Sequence, residues 1–249
     1  MMAHLPRIVE LETDSRCNRR CPYCPNSLFE REQSRLSEEV VARIFDELAL
    51  LRFHGRLSFH FYNEPLLDNR IPSFVSQARL LLPDARIVLY TNGDLLNADT
   101  ACDLVQRGCD QLLVTAHAGS THDASWLDLL APAVRWRIFY QSYANPDIVW
   151  TNRGGLLPHI ERVDEPLCRP CAIPDTALVV AASGNIVLCY EDYAETQVMG
   201  SVLDQALSDI WQSEAYSRHR GRLRAGDRTG AGICRRCNNV EMETTVDVS

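Results

Sequence analysis

The chain has 249 residues, 46% of them hydrophobic, and a formal net charge of −8. Its length supports one substantial core, or one domain with a small appendage. The acidic balance gives no basis for nucleic-acid or anionic-membrane partners, and no stretch is long and apolar enough to span a bilayer.

Met1–Glu12 carries no charged segment followed by an apolar run, so no signal peptide is read and a cytoplasmic location is expected. Ile8–Glu12 is a short β-prone run that ends at a cysteine loop. Ser37 can cap a helix with Glu38 and Glu39 in its first turn, followed by Val40, Val41, Ile44, Phe45, Leu48 and Leu51 at helical spacing. Leu57–Tyr62 reads as a strand and Ile71–Leu82 as a helix. Arg86–Thr91 reads as a strand ending at Asn92-Gly93, then a helix runs from Ala98 to Arg107. Gln111–His117 and Trp136–Gln141 read as two more strands. Strand–helix alternation predicts a parallel sheet with crossover helices, whose working residues collect at the C-terminal strand ends. Tyr62-Asn63-Glu64, Tyr90 to Asp94 and His117 stand there.

Beyond about residue 165 the character changes. Thr176–Ala182 and Ile186–Tyr190 read as a β-hairpin around Ser183-Gly184-Asn185. Cys171 and Cys189 stand at its feet, Leu207–Arg220 reads as a helix, and Cys234 and Cys237 close the set.

Ten cysteines in a reducing compartment read as metal ligands or redox groups rather than disulfides. Cys17, Cys21 and Cys24 have the spacing C-x3-C-x2-C. Three thiolates can hold three irons of a [4Fe–4S] cube and leave the fourth open for chemistry, whereas a fully capped cube mostly moves electrons. A zinc knuckle is the plainer reading of the first set. A zinc ribbon built from Cys168/Cys171 and Cys234/Cys237 is the plainer reading of the second, but it leaves Cys189 unused. Cys102 and Cys109 read as packing residues. His117, Tyr62 and Tyr90 have core alternatives, and Glu191 has a solvated one.

The cysteine loop after a first strand, with Tyr23 just before the third cysteine, resembles the radical S-adenosylmethionine (SAM) superfamily. Glu64 stands where that family has its glycine-glycine-glutamate motif, although His60-Phe61-Tyr62-Asn63 replaces the glycines. Cys171, Cys189, Cys234 and Cys237 resemble the family's auxiliary-cluster "twitch" module. The stretches Ser58–Leu67, Tyr90–Asp94, Asn152–Gly155, Cys189–Tyr193 and Cys237–Val240 are similar to radical SAM dehydrogenases of aminoglycoside-type antibiotic pathways.

The resemblance implies an α/β fold: a partial (β/α) barrel over residues 1–164 and a hairpin-plus-helix cluster domain over 165–249. It implies SAM and two [4Fe–4S] clusters as cofactors. Tyr23, Asn63, Glu64, Asn92 and His117 would bind SAM. Tyr62, Tyr90, Arg153, Tyr190 and Glu191 would line a pocket for an aminocyclitol or amino sugar. Arg153 would stabilise charge on the reacting oxygen, Glu191 would take a proton or hold an amine, and flavodoxin or ferredoxin would supply electrons. A secondary alcohol would become a ketone. Cys168 admits a different outcome: as a hydrogen-atom donor it would make the enzyme an epimerase.

Overall fold

The computed structural model describes residues 5–120 and 124–239. Residues 1–4 and 240–249, the outer ends of the two expected domains, lie outside the described residues, as do 121–123. Among the described residues, eight strands form one sheet: β1 (Ile8–Leu11), β2 (Arg56–Ser58), β3 (Arg86–Thr91), β4 (Gln111–Ala116), β5 (Ile138–Ser142), β6 (Ala177–Val180), β7 (Asn185–Val187) and β8 (Val198–Ser201). Their order is β5-β4-β3-β2-β1-β6-β7-β8. The strands from β5 through β6 run parallel, while β7 and β8 continue antiparallel. The sheet therefore crosses the expected 164/165 boundary, because β6 pairs directly with β1.

The helices are α1 (Glu38–Leu50), α2 (Ile71–Leu81), α3 (Ala98–Gln106), α4 (Pro132–Arg135), α5 (Ile173–Thr176), α6 (Leu207–Trp211), α7 (Glu214–Arg224) and α8 (Gly232–Arg236). Ser37 caps α1 by accepting from the Val40 N–H, as its position predicts, and Asn97 caps α3 through Thr100. Val41, Ile44, Phe45 and Leu48 of α1 join Phe74, Val75 and Ala78 of α2 in a core against Val9, Leu57 and Ile87 of the sheet.

Three expectations need correction. The strand read over 57–62 ends at Ser58. Beyond it the backbone turns to other partners: the Tyr62 N–H donates to Glu12, the Phe61 N–H to the Asn63 side chain, and the Glu64 N–H to the Arg16 carbonyl. The strand read over 136–141 starts two residues later, because α4 runs into Trp136, whose N–H bonds back to Pro132. The helix read over 207–220 is split, since Ser213 caps a new helix by accepting from Tyr216.

Candidate active site

The loops that follow β1, β2, β3 and β4 meet over one edge of the sheet and enclose a cavity of about 440 Å³. Cys17, Cys21 and Cys24 lie on the first loop and all line this cavity. The loop is pinned from opposite sides. Arg19 forms a forked pair with Asp94 at 2.5 and 2.7 Å, and the Asn92 amide donates to Asn18 at 2.7 Å. Beneath it, the Tyr23 hydroxyl lies 2.8 Å from His117 Nδ1, and the Trp150 ring packs 4.0 Å from Tyr23. Burial pushes the Cys17 thiol up to about 11. Such thiols keep their protons until a metal displaces them, and three on the wall of one cavity fit a cluster with room beside it.

Glu64 is buried, which raises its pKa. Its carboxylate accepts from the Thr91 hydroxyl at 2.7 Å, the Asn92 N–H at 2.8 Å and the Leu66 N–H at 3.1 Å. Those bonds fix it on the cavity wall, and Oε2, with one donor, retains acceptor capacity. Asn63 lines the cavity, but its side-chain oxygen closes the loop onto the Phe61 N–H.

The deeper wall comes from the strands. Tyr90 accepts from Arg56 Nη1 at 2.7 Å and stacks on His60 with ring centres 4.1 Å apart. Glu10, from β1, sits 3.3 Å from Arg56 and 3.9 Å from His60. Burial raises the Glu10 carboxyl to about 7 against the pull of Arg56 and Arg153. Burial and the same two guanidinium groups push the His60 imidazole down to about 3, so it is neutral. Arg56 Nε, His60 Nδ1 and Arg153 Nε are buried without a hydrogen-bond partner. Unsatisfied polar atoms around a cavity are the mark of a site that completes its hydrogen bonds with a ligand.

Arg153 enters from the opposite side on the Asn152-Arg153-Gly154-Gly155 turn. Arg153 itself has φ of 50°, an uncommon left-handed conformation for a side-chain-bearing residue. The turn is held from the C-terminal region: buried Asn152 donates to the carbonyls of Arg236 at 2.7 Å and Glu161 at 3.0 Å. A Cβ at Gly155 would stand 2.5 Å from Arg236, so this close approach requires glycine. Arg153 lies over the Tyr62 ring at 5.7 Å and 3.8 Å from Glu191. The Tyr62 hydroxyl donates to the Tyr190 carbonyl at 2.8 Å, so both tyrosines line the cavity as one wall.

A second, small pocket lies behind that wall. It is lined by Cys171, Cys189, Cys234 and Cys237 together with Ile173, Leu223 and Ile233. Burial pushes Cys234 and Cys237 up to about 12 and Cys189 well above its ordinary value. Backbone N–H groups of Glu191 and Asn239 donate to the sulfurs of Cys189 and Cys237 at 3.4 and 3.3 Å. Four buried or half-buried thiols, two of them with backbone N–H donors, suit a fully capped iron–sulfur cluster. Cys189 belongs to this set and Cys168 does not, which removes the zinc-ribbon pairing.

Two expected positions differ. Glu191 lines the second pocket rather than the first cavity, where it accepts from Asn239 at 2.9 Å and Thr151 at 3.0 Å while facing Arg153. Cys168 is exposed and lines neither pocket. Glu10, Arg56 and His60 were not among the expected residues. The signal for Glu10 was present in the sequence, a carboxylate inside the apolar run of β1, where every residue is buried.

Residues 12–143 match the radical SAM superfamily. The chain belongs to that superfamily. Residues 171–238 match an iron–sulfur cluster-binding domain, so this radical SAM enzyme carries a second cluster-binding region and uses SAM and iron–sulfur clusters as cofactors. It is 36% identical over 245 residues, 98% of this chain and 97% of the relative, to the S-adenosyl-L-methionine-dependent 2-deoxy-scyllo-inosamine dehydrogenase of Niallia circulans. It is also 35% identical over 121 residues to the GTP 3',8-cyclase of Parasynechococcus marenigrum (strain WH8102), covering 44% of this chain and 33% of the cyclase. The crystal structure of BtrN in complex with AdoMet and 2-DOIA superimposes with a TM-score of 0.89, at 36% identity and 96% coverage of both chains. Among the described residues, no helix of this radical SAM enzyme is long and apolar enough to cross a membrane.

Proposed function

We propose that this enzyme is a dehydrogenase that oxidises a secondary alcohol of an aminocyclitol or amino-sugar intermediate to a ketone in aminoglycoside-type antibiotic biosynthesis. The similarity to an aminocyclitol dehydrogenase over 98% of the chain carries this reading. Cys17, Cys21 and Cys24 would hold the SAM-binding cluster, and Cys171, Cys189, Cys234 and Cys237 the auxiliary one. When bound, these groups supply a 5′-deoxyadenosyl radical for hydrogen abstraction and an acceptor for the remaining electron. Tyr23, Asn63, Glu64, Asn92 and His117 would cradle SAM, with Glu64 facing its ammonium. The reaction would run in the cytoplasm with a flavodoxin- or ferredoxin-type donor.

The chain's own groups handle the alcohol. Arg153 would donate to the substrate oxygen and stabilise the negative charge that grows there as the hydroxyl loses its proton. Glu191, 3.8 Å from Arg153, would hold the guanidinium in place and lower the cost of its burial. Tyr62, Tyr90 and Tyr190 would shape the cavity around the ring. Glu10 would face the substrate ammonium from the far wall, where it gains a charge-assisted bond.

Glu10→Gln should raise KM for an amine-bearing substrate about 10- to 100-fold, the loss of one charge-assisted hydrogen bond. The groups facing Glu10 include Arg56, Arg153, His60, Tyr90 and Glu191. His60 stays neutral and Arg153 stays charged between pH 6 and 8, whereas Glu10 titrates there. Its carboxylate forms as pH rises through about 7, and affinity for the ammonium should rise with it. The same titration in Glu10→Gln should be flatter; an identical slope would remove Glu10 from the site.

The deciding experiment is anaerobic turnover of cluster-loaded protein with SAM, a reductant and a panel of aminocyclitols, read by mass spectrometry. A ketone lighter by a pair of hydrogens, with 5′-deoxyadenosine, is expected. Product of unchanged mass that gains deuterium in heavy water, and loses it in Cys168→Ala, would replace dehydrogenation by epimerisation. The exposed position of Cys168 favours the ketone.

A further inference from the structure

Immediately after β1 stands a carboxylate that neither pocket uses. Glu12 is fully buried. Its Oε1 accepts from Arg31 Nη2 at 2.5 Å and from the Tyr62 N–H at 3.1 Å, and its Oε2 accepts from the Ala182 N–H at 3.0 Å. The three donors belong to different segments. Arg31 lies on the loop that runs on from Cys24, Tyr62 on the loop that carries Glu64, and Ala182 at the turn of the hairpin that leads to Cys189.

The same segments meet again one layer further out. The Arg31 guanidinium lies 5.3 Å from the Tyr193 ring centre. Tyr193 stands edge-on to Tyr62 at 4.9 Å and donates its hydroxyl to the Phe29 carbonyl at 3.1 Å. Glu12, Arg31, Tyr193 and Tyr62 thus close a ring of contacts. Only Tyr62 among them lines the cavity, so Glu12 touches no reacting group. Burying an ion pair costs desolvation that an apolar pair of similar volume would avoid, and the best-attested use of such a pair is to fix one arrangement against others.

We propose that Glu12 is a positioning residue that locks the cysteine loop and the C-terminal cluster region at one spacing across the cavity, keeping hydrogen abstraction coupled to substrate oxidation. This inference rests on the dehydrogenase reading. Its chemical logic is that the carbon left after hydrogen abstraction must lose a proton and an electron before it regains a hydrogen. A loosened spacing slows only the second step.

The test compares wild type with Glu12→Gln, Glu12→Ala and Tyr193→Phe. In protein without clusters, amide exchange at Tyr62 and Ala182 should speed up at least tenfold in Glu12→Ala. In cluster-loaded protein of wild-type iron content, the ratio of 5′-deoxyadenosine to ketone should rise several-fold in Glu12→Gln and less in Tyr193→Phe. Should Glu12→Ala not fold, exchange in Glu12→Gln replaces it. Unchanged exchange overturns the proposal, and so does a uniform fall in both products at a constant ratio. A wild type that makes 5′-deoxyadenosine but no ketone defeats the dehydrogenase reading instead, while the exchange measurement still tests the lock.

Discussion

Cys21→Ala is expected to abolish reductive cleavage of SAM, lowering 5′-deoxyadenosine at least 1,000-fold, and to reduce bound iron from about eight to about four per chain. The loss is all-or-none because three thiolates are the minimum that hold the cube and still leave one iron open. The fold should survive. The loop is pinned by the Arg19–Asp94 fork, the Asn18–Asn92 bond and the Asp14–Arg16 pair, none of which uses a cysteine. Cys109→Ala is the internal comparison. Cys109 is buried beneath β3 with its sulfur 3.3 Å from the Gln111 carbonyl, lines neither pocket, and should keep full iron content. Retention of full iron in Cys21→Ala would detach the N-terminal motif from cluster binding.

Much of the arrangement was legible because it follows local rules. The cysteine spacings, the Ser37 cap and the apolar periods of α1 and α2 are written in neighbouring residues. The polar loops after β3 and β4 follow from the parallel topology, which gathers C-terminal strand ends. The rest was not legible because its partners are distant in sequence. The segment 59–64 has the β-prone residues of a strand, but its N–H groups are taken by Glu12, by Asn63 and by the carbonyl of Arg16. Glu10 and Glu12 sit two residues apart on one face of a buried segment, yet one meets Arg56 on the neighbouring strand β2 and the other meets Arg31. Glu191 was expected in the cavity; the Asn239 amide, 48 positions away, draws it into the second pocket. Nothing in the sequence near Ser183 indicates that β6 would extend the first sheet beside β1, since that depends on which edge of β1 is left unpaired.

Cys189→Ala should separate the two halves of the reaction. Cys189 is buried at the foot of the hairpin, in contact with the small pocket and not with the first cavity. Its loss leaves a capped cluster short of one thiolate while Cys17, Cys21 and Cys24 are untouched. SAM cleavage in the presence of substrate should therefore persist within about tenfold of wild type, and ketone should fall by about 100-fold or more, since proton loss at the substrate oxygen cannot complete the oxidation without an electron acceptor. Arg153 remains beside Glu191 in this variant, and the Tyr62–Tyr190 bond uses a backbone carbonyl, so the wall between the two pockets should persist. Thermal unfolding of the cluster-free variant should therefore lie close to that of cluster-free wild type. Ketone formed at the wild-type rate would mean that the electron leaves by another route, and the four buried thiols would then be a structural clamp on the Asn152–Gly155 turn rather than part of the oxidation.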